Sequence, residues 1–157
     1  MSTQAPTALA LDGRGLAVGI AAARFNGEYV DVLLARCVET LREAGAPEPA
    51  VVRVPGSNEL PVALQALAGS GKYAALIALG VLIRGDTIHY EVIANSSALA
   101  LQEVALAERR PVINGILTVE NHDQARERCS GQADRGAEFA RAALEMAVLF
   151  RKILPPA

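Results

Sequence analysis

Apolar residues occur along the chain in two patterns, short continuous runs and longer stretches of helical periodicity. The continuous runs are typical of strands buried on both faces, and they predict four strands, at 16–23, 51–54, 74–83 and 111–118. The periodic stretches follow the spacing of helices that cover a core, and they predict five helices, at about 30–41, 61–68, 90–108, 123–129 and 135–153. Strands that alternate with helices predict a mostly parallel sheet with helices on both faces.

The order of these elements narrows the fold further. Right-handed crossovers leave few topologies for such a chain. We expect an α/β protein, a flavodoxin-like three-layer α/β/α sandwich with a four-stranded parallel sheet in the order 2-1-3-4. The 157 residues suffice for a single domain with a substantial core, which we place at 16–154. Residues 1–15 are polar to mixed and punctuated by glycine, and we expect them to form an N-terminal arm.

The helix predicted at 90–108 carries apolar residues on more than one face. A helix of that kind is buried against two layers of structure. The chain as a whole is 52% apolar and 20% charged, so a small domain is left with apolar surface that other subunits would cover. Both observations predict a homo-oligomer.

Composition and short motifs exclude several classes of protein. The net charge of −2 gives no reason to propose a nucleic acid as partner. No apolar run approaches the ~18 residues of a membrane span, the first residues lack the features of a signal peptide, and the two cysteines have no CxxC or metal-ligand spacing. We therefore expect a cytoplasmic protein with reduced cysteines and no membrane partner. There is no P-loop and no GxGxxG after the first strand, so no metal or cofactor is implied.

Three polar or glycine-rich turns follow the first three predicted strands. They are R-F-N-G (24–27), P-G-S-N-E (55–59) and R-G-D-T-I-H (84–89). In open parallel sheets, ligands bind beyond the carboxyl ends of the strands, at the point where the strand order reverses. The order 2-1-3-4 reverses between strands 1 and 3, so we expect the three turns to meet at one crevice.

The third turn carries the most specific chemistry. Gly85 is free to take any backbone angle, and N–H groups at the start of a helix lack partners and favour an anion. Gly85, Asp86 and Thr87 therefore form a candidate anion cradle, although the Asp86 carboxylate would repel a phosphate unless it points away, as it would in a helix N-cap. The imidazole of His89 suggests acid–base chemistry on a phosphorylated substrate. Many lone histidines are structural or merely exposed, which is the alternative here.

The other two turns offer groups that hold a ligand. Phe25 lies just past a strand end, where its ring either stacks on a planar ligand or caps the hydrophobic layer. Four polar side chains suit a polyol or the edge of a heterocycle, and each is also typical of a turn or helix cap. They are Asn26, Ser57, Asn58 and Glu59.

Two arginines are candidates for the cation of a phosphate site. Arg128 lies in the predicted short helix after strand 4, and Arg135 begins the last helix. A guanidinium binds phosphate through two parallel hydrogen bonds, but either side chain could instead be a solvated surface group. His122, the second histidine, has no partner at a suitable spacing and is expected at the surface.

Taken together, these segments resemble the 6,7-dimethyl-8-ribityllumazine synthase family. The resemblance covers about residues 10–153 and rests on four motifs in order, followed by A-L-E-M-A at 143–147. The motifs are R-F-N (24–26), V-P-G-S-N-E-L-P (54–61), A-L-G-V-L-I-R-G-D-T-I-H-Y-E (78–91) and G-I-L-T-V-E-N (115–121). The resemblance implies a flavodoxin-like fold and a transferase of riboflavin biosynthesis that needs no cofactor. Its reaction would condense 5-amino-6-ribitylaminouracil with 3,4-dihydroxy-2-butanone 4-phosphate, releasing phosphate and water.

The resemblance also implies how the pyrimidine substrate would be held. Phe25 would stack on the pyrimidine, and Asn26 would help to frame it. The main chain at Leu82 and Ile83 would contact the edge of the heterocycle. The ribityl chain would be held by Ser57, Asn58 and Glu59.

For the second substrate, the resemblance implies a phosphate site made of Gly85, Asp86, Thr87 and Arg128. His89 would carry protons during imine formation and phosphate loss. Asn114 would come from a neighbouring subunit, and Arg135 matches a lysine of the family.

The sequence departs from the commonest pattern of the family in a few places. Asn58 and Asn114 stand where many members carry an aromatic residue, which implies a more polar pocket. The loop between Arg128 and Arg135 is shorter than in comparable members, and in the family this loop influences whether pentamers stay free or close into an icosahedral 60-subunit shell.

The resemblance implies three kinds of partner. They are the two small-molecule substrates, copies of the chain in a homopentamer or a 60-mer built from pentamers, and riboflavin synthase. The alternative function is that of a non-catalytic homologue that binds flavin or lumazine, or that only forms a shell.

Overall fold

The computed structural model describes Thr7 and residues 9–154, and it contains a four-stranded sheet. The strands are Val18–Ala23 (β1), Ala50–Val54 (β2), Ala75–Ile83 (β3) and Val112–Val119 (β4). All pairs are parallel, and the spatial order is β2-β1-β3-β4. The predicted strand order is confirmed.

The helices are Gly27–Glu43 (α1), Leu60–Gly69 (α2), His89–Ala107 (α3), His122–Ser130 (α4) and Arg135–Ile153 (α5), with a single 3₁₀ turn at Ser57–Glu59 before α2. Each matches a predicted helix to within a few residues. The clearest difference is at α1, which begins at Gly27 rather than near Val30. Asn26 takes a left-handed backbone conformation (φ 54°) that turns the chain directly from β1 into the helix.

The sheet separates two hydrophobic clusters, and this separation makes the three-layer sandwich. Helices α1, α4 and α5 pack on one face, and α2 and α3 pack on the other. Consecutive residues of β3 belong to opposite clusters, since Ile77 and Leu79 face the first while Leu76 and Ala78 face the second. A strand alternates its side chains between faces, so burial on both faces explains why β3 is an uninterrupted apolar run.

Helix α3 has one buried face and one exposed apolar face in the single chain. Its inner face is buried against the sheet and α2, as Leu101 and Val104 show. Its outer face is exposed in the single chain, where Val92, Leu99 and Leu106 are 52%, 63% and 71% exposed. Burial of this outer face against a second layer, at a subunit interface, stays a prediction. Neither α3 nor any other helix in the described part of the chain is long and apolar enough to cross a membrane.

The predicted N-terminal arm lies partly outside the described residues, because residues 1–6 and 8 are not among them, and neither are residues 155–157 at the other end. In the part that is described, Leu11 packs against the core. Gly13 N donates to Ala44 O at 2.8 Å, which ties this stretch to the end of α1.

Both cysteines are free thiols and both are buried. Burial raises the pKa of Cys37 to about 12 and the pKa of Cys129 to about 11. Since the thiolate is the reactive form, neither side chain is a candidate nucleophile.

Candidate functional site

A crevice of about 510 Å³ opens at the carboxyl ends of the strands, where the strand order reverses between β1 and β3. Its walls come from the turns after β1, β2 and β3 and from the first turns of α3. The lining residues are Phe25, Asn26, Gly56, Ser57, Asn58, Glu59, Val81, Leu82, Ile83, Gly85, Thr87, His89, Tyr90 and Ile93. Most of the residues proposed from the sequence are among them. Those that do not line the crevice are Asp86, Asn114, Arg128 and Arg135.

The turn after β1 presents Phe25 to solvent rather than to the core. Because Phe25 is 73% exposed, its ring does not cap the hydrophobic layer of the single chain, and a planar ligand can stack on it. Phe25 N donates to Pro55 O at 3.1 Å, and Asn26 Nδ2 donates to Val81 O at 2.7 Å. These bonds fasten the turn to the neighbouring strand ends, so the Asn26 side chain fixes one wall of the crevice.

The turn after β2 packs closely against β3. Ser57 is buried, and a Cβ atom at Gly80 would lie 2.4 Å from Ser57 Oγ. Glycine at this position therefore lets the turn approach the strand. Glu59 Oε2 accepts a hydrogen bond from Gly56 N at 2.8 Å, which is a capping contact, and the exposed Asn58 donates from Nδ2 to Glu59 Oε1 at 3.4 Å. The turn thus brings a hydroxyl, a carboxylate and an amide to the crevice.

The turn after β3 keeps its backbone donors free. Within the described residues, no acceptor takes the N–H groups of residues 85–88. Helix α3 begins at His89, whose N–H donates to the Thr87 hydroxyl at 3.4 Å, and the cap position is Ile88. Asp86 is therefore not the N-cap, and its exposed carboxylate stays within the turn. Free N–H groups ahead of a helix N-terminus favour an anion.

His89 lines the crevice and is exposed in the first turn of α3. In the part of the chain that the structure describes, its imidazole forms no side-chain hydrogen bond. The ring is neither buried nor held by a carboxylate, so nothing in its surroundings gives it a structural role. An exposed imidazole at the wall of a crevice is suited to exchange protons with a bound ligand.

Tyr90 lines the crevice but was not predicted from the sequence. Its hydroxyl donates to Glu91 Oε1 at 3.0 Å. Loss of hydration raises the pKa of the Tyr90 phenol, and the bond to Glu91 acts in the same direction, so the group is a neutral donor at neutral pH. In the sequence, the signal that could have identified Tyr90 was an aromatic residue directly after His89. Gly56, Val81 and Ile93 also line the crevice without having been proposed.

The structure places Asn114, Arg128 and Arg135 on β4, α4 and α5, and none of them lines this crevice. Asn114 is exposed in the middle of the edge strand β4. Arg128 is half-buried and donates to Gln124 O at 3.4 Å. Arg135 pairs with Glu138, and its Nε is buried with no partner among the described residues. A single chain therefore does not bring these three side chains to the crevice.

His122 is exposed, as expected, but it has a partner. Its Nδ1 lies 2.9 Å from the hydroxyl of Tyr29, which is buried in the first turn of α1. The pair links α1 to the start of α4. His122 does not line the crevice, so the two histidines of the chain differ in surroundings and offer a natural comparison.

The loop between Arg128 and Arg135 is fastened to α1 by an ion pair. Arg36 donates to the two carboxylate oxygens of Asp134 at 3.0 and 2.6 Å. These bonds lower the pKa of Asp134, whose backbone is left-handed (φ 37°) directly before α5. The pair fixes where the last helix begins.

The crevice therefore combines an exposed aromatic face, a polar turn, a row of free backbone donors and an imidazole. None of the residues that line it is a lysine or an arginine. Its positive character comes from N–H groups, which bind an anion without the cost of desolvating a cation. Such a crevice suits a planar polar ligand together with a phosphate ester, with one proton carrier between them.

Comparisons of the chain with a family model and with known proteins all indicate the same family. A family model described as 6,7-dimethyl-8-ribityllumazine synthase matches residues 15–151. A protein of that name from Paracidovorax citrulli is 47% identical over 149 residues, which cover 94% of this chain and 95% of the relative. Relatives of the same name from Nitrosomonas europaea and a Polaromonas species are 48% and 46% identical, over 88% and 91% of this chain and 84% and 92% of their own.

Proposed function

Because the chain belongs to the 6,7-dimethyl-8-ribityllumazine synthase family, we propose that the crevice at the carboxyl ends of β1 and β3 is its active site. The protein is a transferase of riboflavin biosynthesis that condenses 5-amino-6-ribitylaminouracil with 3,4-dihydroxy-2-butanone 4-phosphate. The observation that carries this location is the meeting of Phe25, the free N–H groups of residues 85–88 and His89 around one crevice. No observation favours a non-catalytic, flavin-binding or shell-forming homologue.

The pyrimidine substrate stacks on Phe25, whose exposed ring supports this role. The main chain at Leu82 and Ile83 contacts the edge of the heterocycle, since both residues line the crevice. Asn26 frames the site by holding Val81 O, so its contribution is to position the wall. The ribityl chain, which carries several hydroxyl groups, is held by Ser57, Asn58 and Glu59.

The sugar phosphate binds with its phosphate against the backbone of Gly85, Asp86 and Thr87, while the Asp86 side chain does not line the crevice. The free N–H groups of residues 85–88 supply donors there. An amine attacks a carbonyl without a metal or a covalent nucleophile, so the site needs mainly to position the two substrates. His89 carries the protons that move when water leaves to form the imine and when the carbon–oxygen bond to phosphate breaks.

Asn114, Arg128 and Arg135 complete the crevice of an adjacent protomer. None of the three lines the crevice of its own chain, and they lie on the consecutive elements β4, α4 and α5. The buried Nε of Arg135, with no partner among the described residues, supports this placement because an incoming group would satisfy it. In this arrangement Arg128 supplies the cation that the crevice itself lacks.

The chain assembles as a homopentamer, with a 60-subunit icosahedral shell as the larger form. The outer face of α3 supports assembly, because its exposed apolar residues recur with the spacing of a coiled-coil seam. They are Ile88, Val92, Leu99 and Leu106. Copies of α3 pack along this seam. A sedimentation mass of five or sixty chains is expected, and a monomeric mass would contradict the proposal.

Riboflavin synthase is the proposed protein partner, because it would consume the lumazine product. The location we propose is the cytoplasm, where both free thiols would remain reduced.

The direct test of function mixes the purified chain with both substrates and follows the fluorescence of the lumazine product. Product should form faster than in the uncatalysed mixture, together with released phosphate. A protein that bound the lumazine tightly but released no phosphate would instead be a carrier. No acceleration at all would reject the enzyme.

A mixing experiment tests whether the active site is shared. His89→Ala and Arg128→Ala chains are unfolded together, refolded and compared with each variant alone. If the two residues act in one crevice but come from different protomers, about a quarter of the sites regain both groups in random assemblies. If both came from one chain, no site would regain both, and the mixture would be no more active than the average of the variants.

A further inference from the structure

A second cavity lies at the amino ends of the strands, on the side of the sheet opposite to the crevice. It measures about 520 Å³. Leu16 precedes β1, Ala74 precedes β3 and Arg110 precedes β4, while Phe150 and Arg151 belong to the last turn of α5. It shares no residue with the crevice. Nothing in the proposed reaction uses it.

The lining of this cavity falls into two chemical classes. The floor is apolar and consists of Leu16, Ala74, Ala147, Phe150 and Leu154. The remaining lining residues are Arg109, Arg110 and Arg151. An apolar floor beside three guanidinium groups suits a ligand that is itself divided into an apolar body and an acidic group.

None of these three arginines forms an ion pair with a described residue. Arg110 donates from one terminal nitrogen to Tyr73 O, but its Nε is buried and has no partner in the described part of the chain. Arg151 makes one long bond of 3.4 Å, to Gly15 O. A guanidinium carries five N–H donors, so most donors of this cluster remain available to a ligand.

The carboxylate of Asp12, which interacts with Arg151, does not neutralise the cluster. Asp12 acts on Arg151 only at long range, because three hydrogen bonds of 2.7–3.1 Å commit its side chain to Arg14. The bonds from Arg14 hold the pKa of Asp12 at about 2. This carboxylate is therefore already paired, and the three cavity arginines keep their excess positive charge.

The backbone at Arg109 supports a role for the cluster. Arg109 follows Glu108, the C-cap of α3, in a left-handed conformation (φ 49°), which is unfavourable for a residue with a side chain. Glycine is the usual residue at such a helix end. Strained conformations of this kind concentrate at binding sites, and this one aligns two consecutive arginines, Arg109 and Arg110, at the cavity.

We propose that this cavity binds a small organic phosphate that carries an apolar ring or chain. The phosphate lies on Arg109, Arg110 and Arg151, which can bind it through paired hydrogen bonds. The apolar body lies on Leu16 and Phe150. Helices α3 and α5 end beside the cavity, and their carboxyl ends disfavour an anion, so binding depends on the arginine side chains.

Phenyl phosphate is the probe, and calorimetric titration is the measurement. The titration is carried out on the Phe25→Ala, Arg128→Ala chain, in which the crevice has lost its aromatic ring and its proposed cation. Phenyl phosphate should still bind this chain, and it should bind at least several-fold more tightly than inorganic phosphate. Loss of binding would place the probe in the crevice, and equal affinity for inorganic phosphate would mean that the apolar floor is not used. Either result would overturn the proposal.

The arginines are tested by Arg109→Gly together with Arg151→Gln in the same chain. Arg109→Gly keeps the left-handed backbone while removing the guanidinium, so folding should be preserved, which a thermal melt checks. Loss of two charged hydrogen-bond donors should weaken phenyl phosphate binding by about tenfold or more. The matched control is Arg42→Gln, an exposed arginine at the end of α1, with an expected change of less than about twofold. Equal weakening in both would mean non-specific attraction and would reject the site.

Discussion

The strands of the parallel sheet end on two sides, which are called the carboxyl edge and the amino edge. The two have opposite backbone electrostatics, and the side chains at each differ accordingly. At the carboxyl edge, α1 and α3 begin after the turns that follow β1 and β3, and the crevice there contains free N–H groups and no lysine or arginine. At the amino edge, α3 and α5 end, and the cavity there is lined by three arginines. A helix presents N–H groups at its start and carbonyl groups at its end.

The comparison shows where a protein of this class must use charged side chains. At the carboxyl edge the backbone supplies the positive character, so the side chains there are free for stacking and proton transfer, as with Phe25 and His89. At the amino edge the backbone is negative, so any affinity for an anion must come from guanidinium groups. Four predictions, each with a control variant, test this contrast.

The largest expected effect is on catalysis at the carboxyl edge. His89→Ala should lower kcat about a hundredfold, because a positioned acid–base group contributes at least that much. The initial rate of lumazine fluorescence measures it. The control is His122→Ala, which removes the partner of the Tyr29 hydroxyl and should lower the thermal midpoint while changing kcat less than about twofold. Equal losses of kcat in the two variants would show that His89 has no specific catalytic role.

A second substitution tests how closely the turn after β2 must approach β3. Gly80→Ala places a Cβ atom 2.4 Å from Ser57 Oγ, and it should lower the free energy of unfolding by about 2 kcal/mol. Urea unfolding measures the change. Gly69→Ala, at the end of α2, meets no atom within 4 Å and should raise the same free energy by about 0.5 kcal/mol. Two changes of the same sign would contradict the packing described here.

The third prediction concerns Arg128, the cation proposed to contact the phosphate. Arg128→Ala should raise KM for the sugar phosphate about tenfold, with a smaller change in kcat, because one charge-assisted contact to phosphate is lost while the backbone donors remain. Steady-state kinetics with each substrate varied in turn separate the two parameters. Arg126→Ala, on the same helix, removes an exposed arginine paired with Asp123 and should leave KM unchanged. A similar rise in both would indicate a general effect of α4.

The smallest effect is expected at the amino edge. Arg109→Gly should raise the free energy of unfolding by about 0.5 to 1 kcal/mol, because glycine adopts the left-handed backbone (φ 49°) without strain. Arg109→Ala keeps the strain and should bring no such gain. Urea unfolding of the two variants, compared side by side, measures the difference. If alanine stabilised as much as glycine, the arginine side chain and not its backbone would be the source of strain.

Much of the fold could be predicted from local patterns. The apolar run at 74–83 predicted a strand buried on both faces. The helical spacing of apolar residues in α5 predicted the first and last residues of that helix, Arg135 and Ile153, as observed. Right-handed crossovers left few topologies, and the flavodoxin-like order expected among them, β2-β1-β3-β4, is the observed one. Because that order brings the turns after β1 and β3 together, the position of the crevice could be predicted as well.

Other features depended on the directions of side chains, which a sequence pattern does not contain. Tyr90 lines the crevice through the rotation of α3, and Asp86 does not cap that helix because α3 begins later than Asp86. The amide of Asn26 reaches Val81 O, a contact across 55 positions of the chain. The strained backbone of Arg109 could not be predicted from the sequence, because a left-handed residue at a helix end is usually recognised by a glycine, and this position carries an arginine.

The sequence by itself therefore determined the elements, their order and the family, because apolar periods and turn residues act over a few neighbouring positions. Only the tertiary structure decided which side chains share a cavity. It placed His89 and Phe25 together, left Asn114, Arg128 and Arg135 on another side, and gathered three arginines at the far edge of the sheet. The physical reason is that a side chain's direction is set by packing between layers that are distant in sequence.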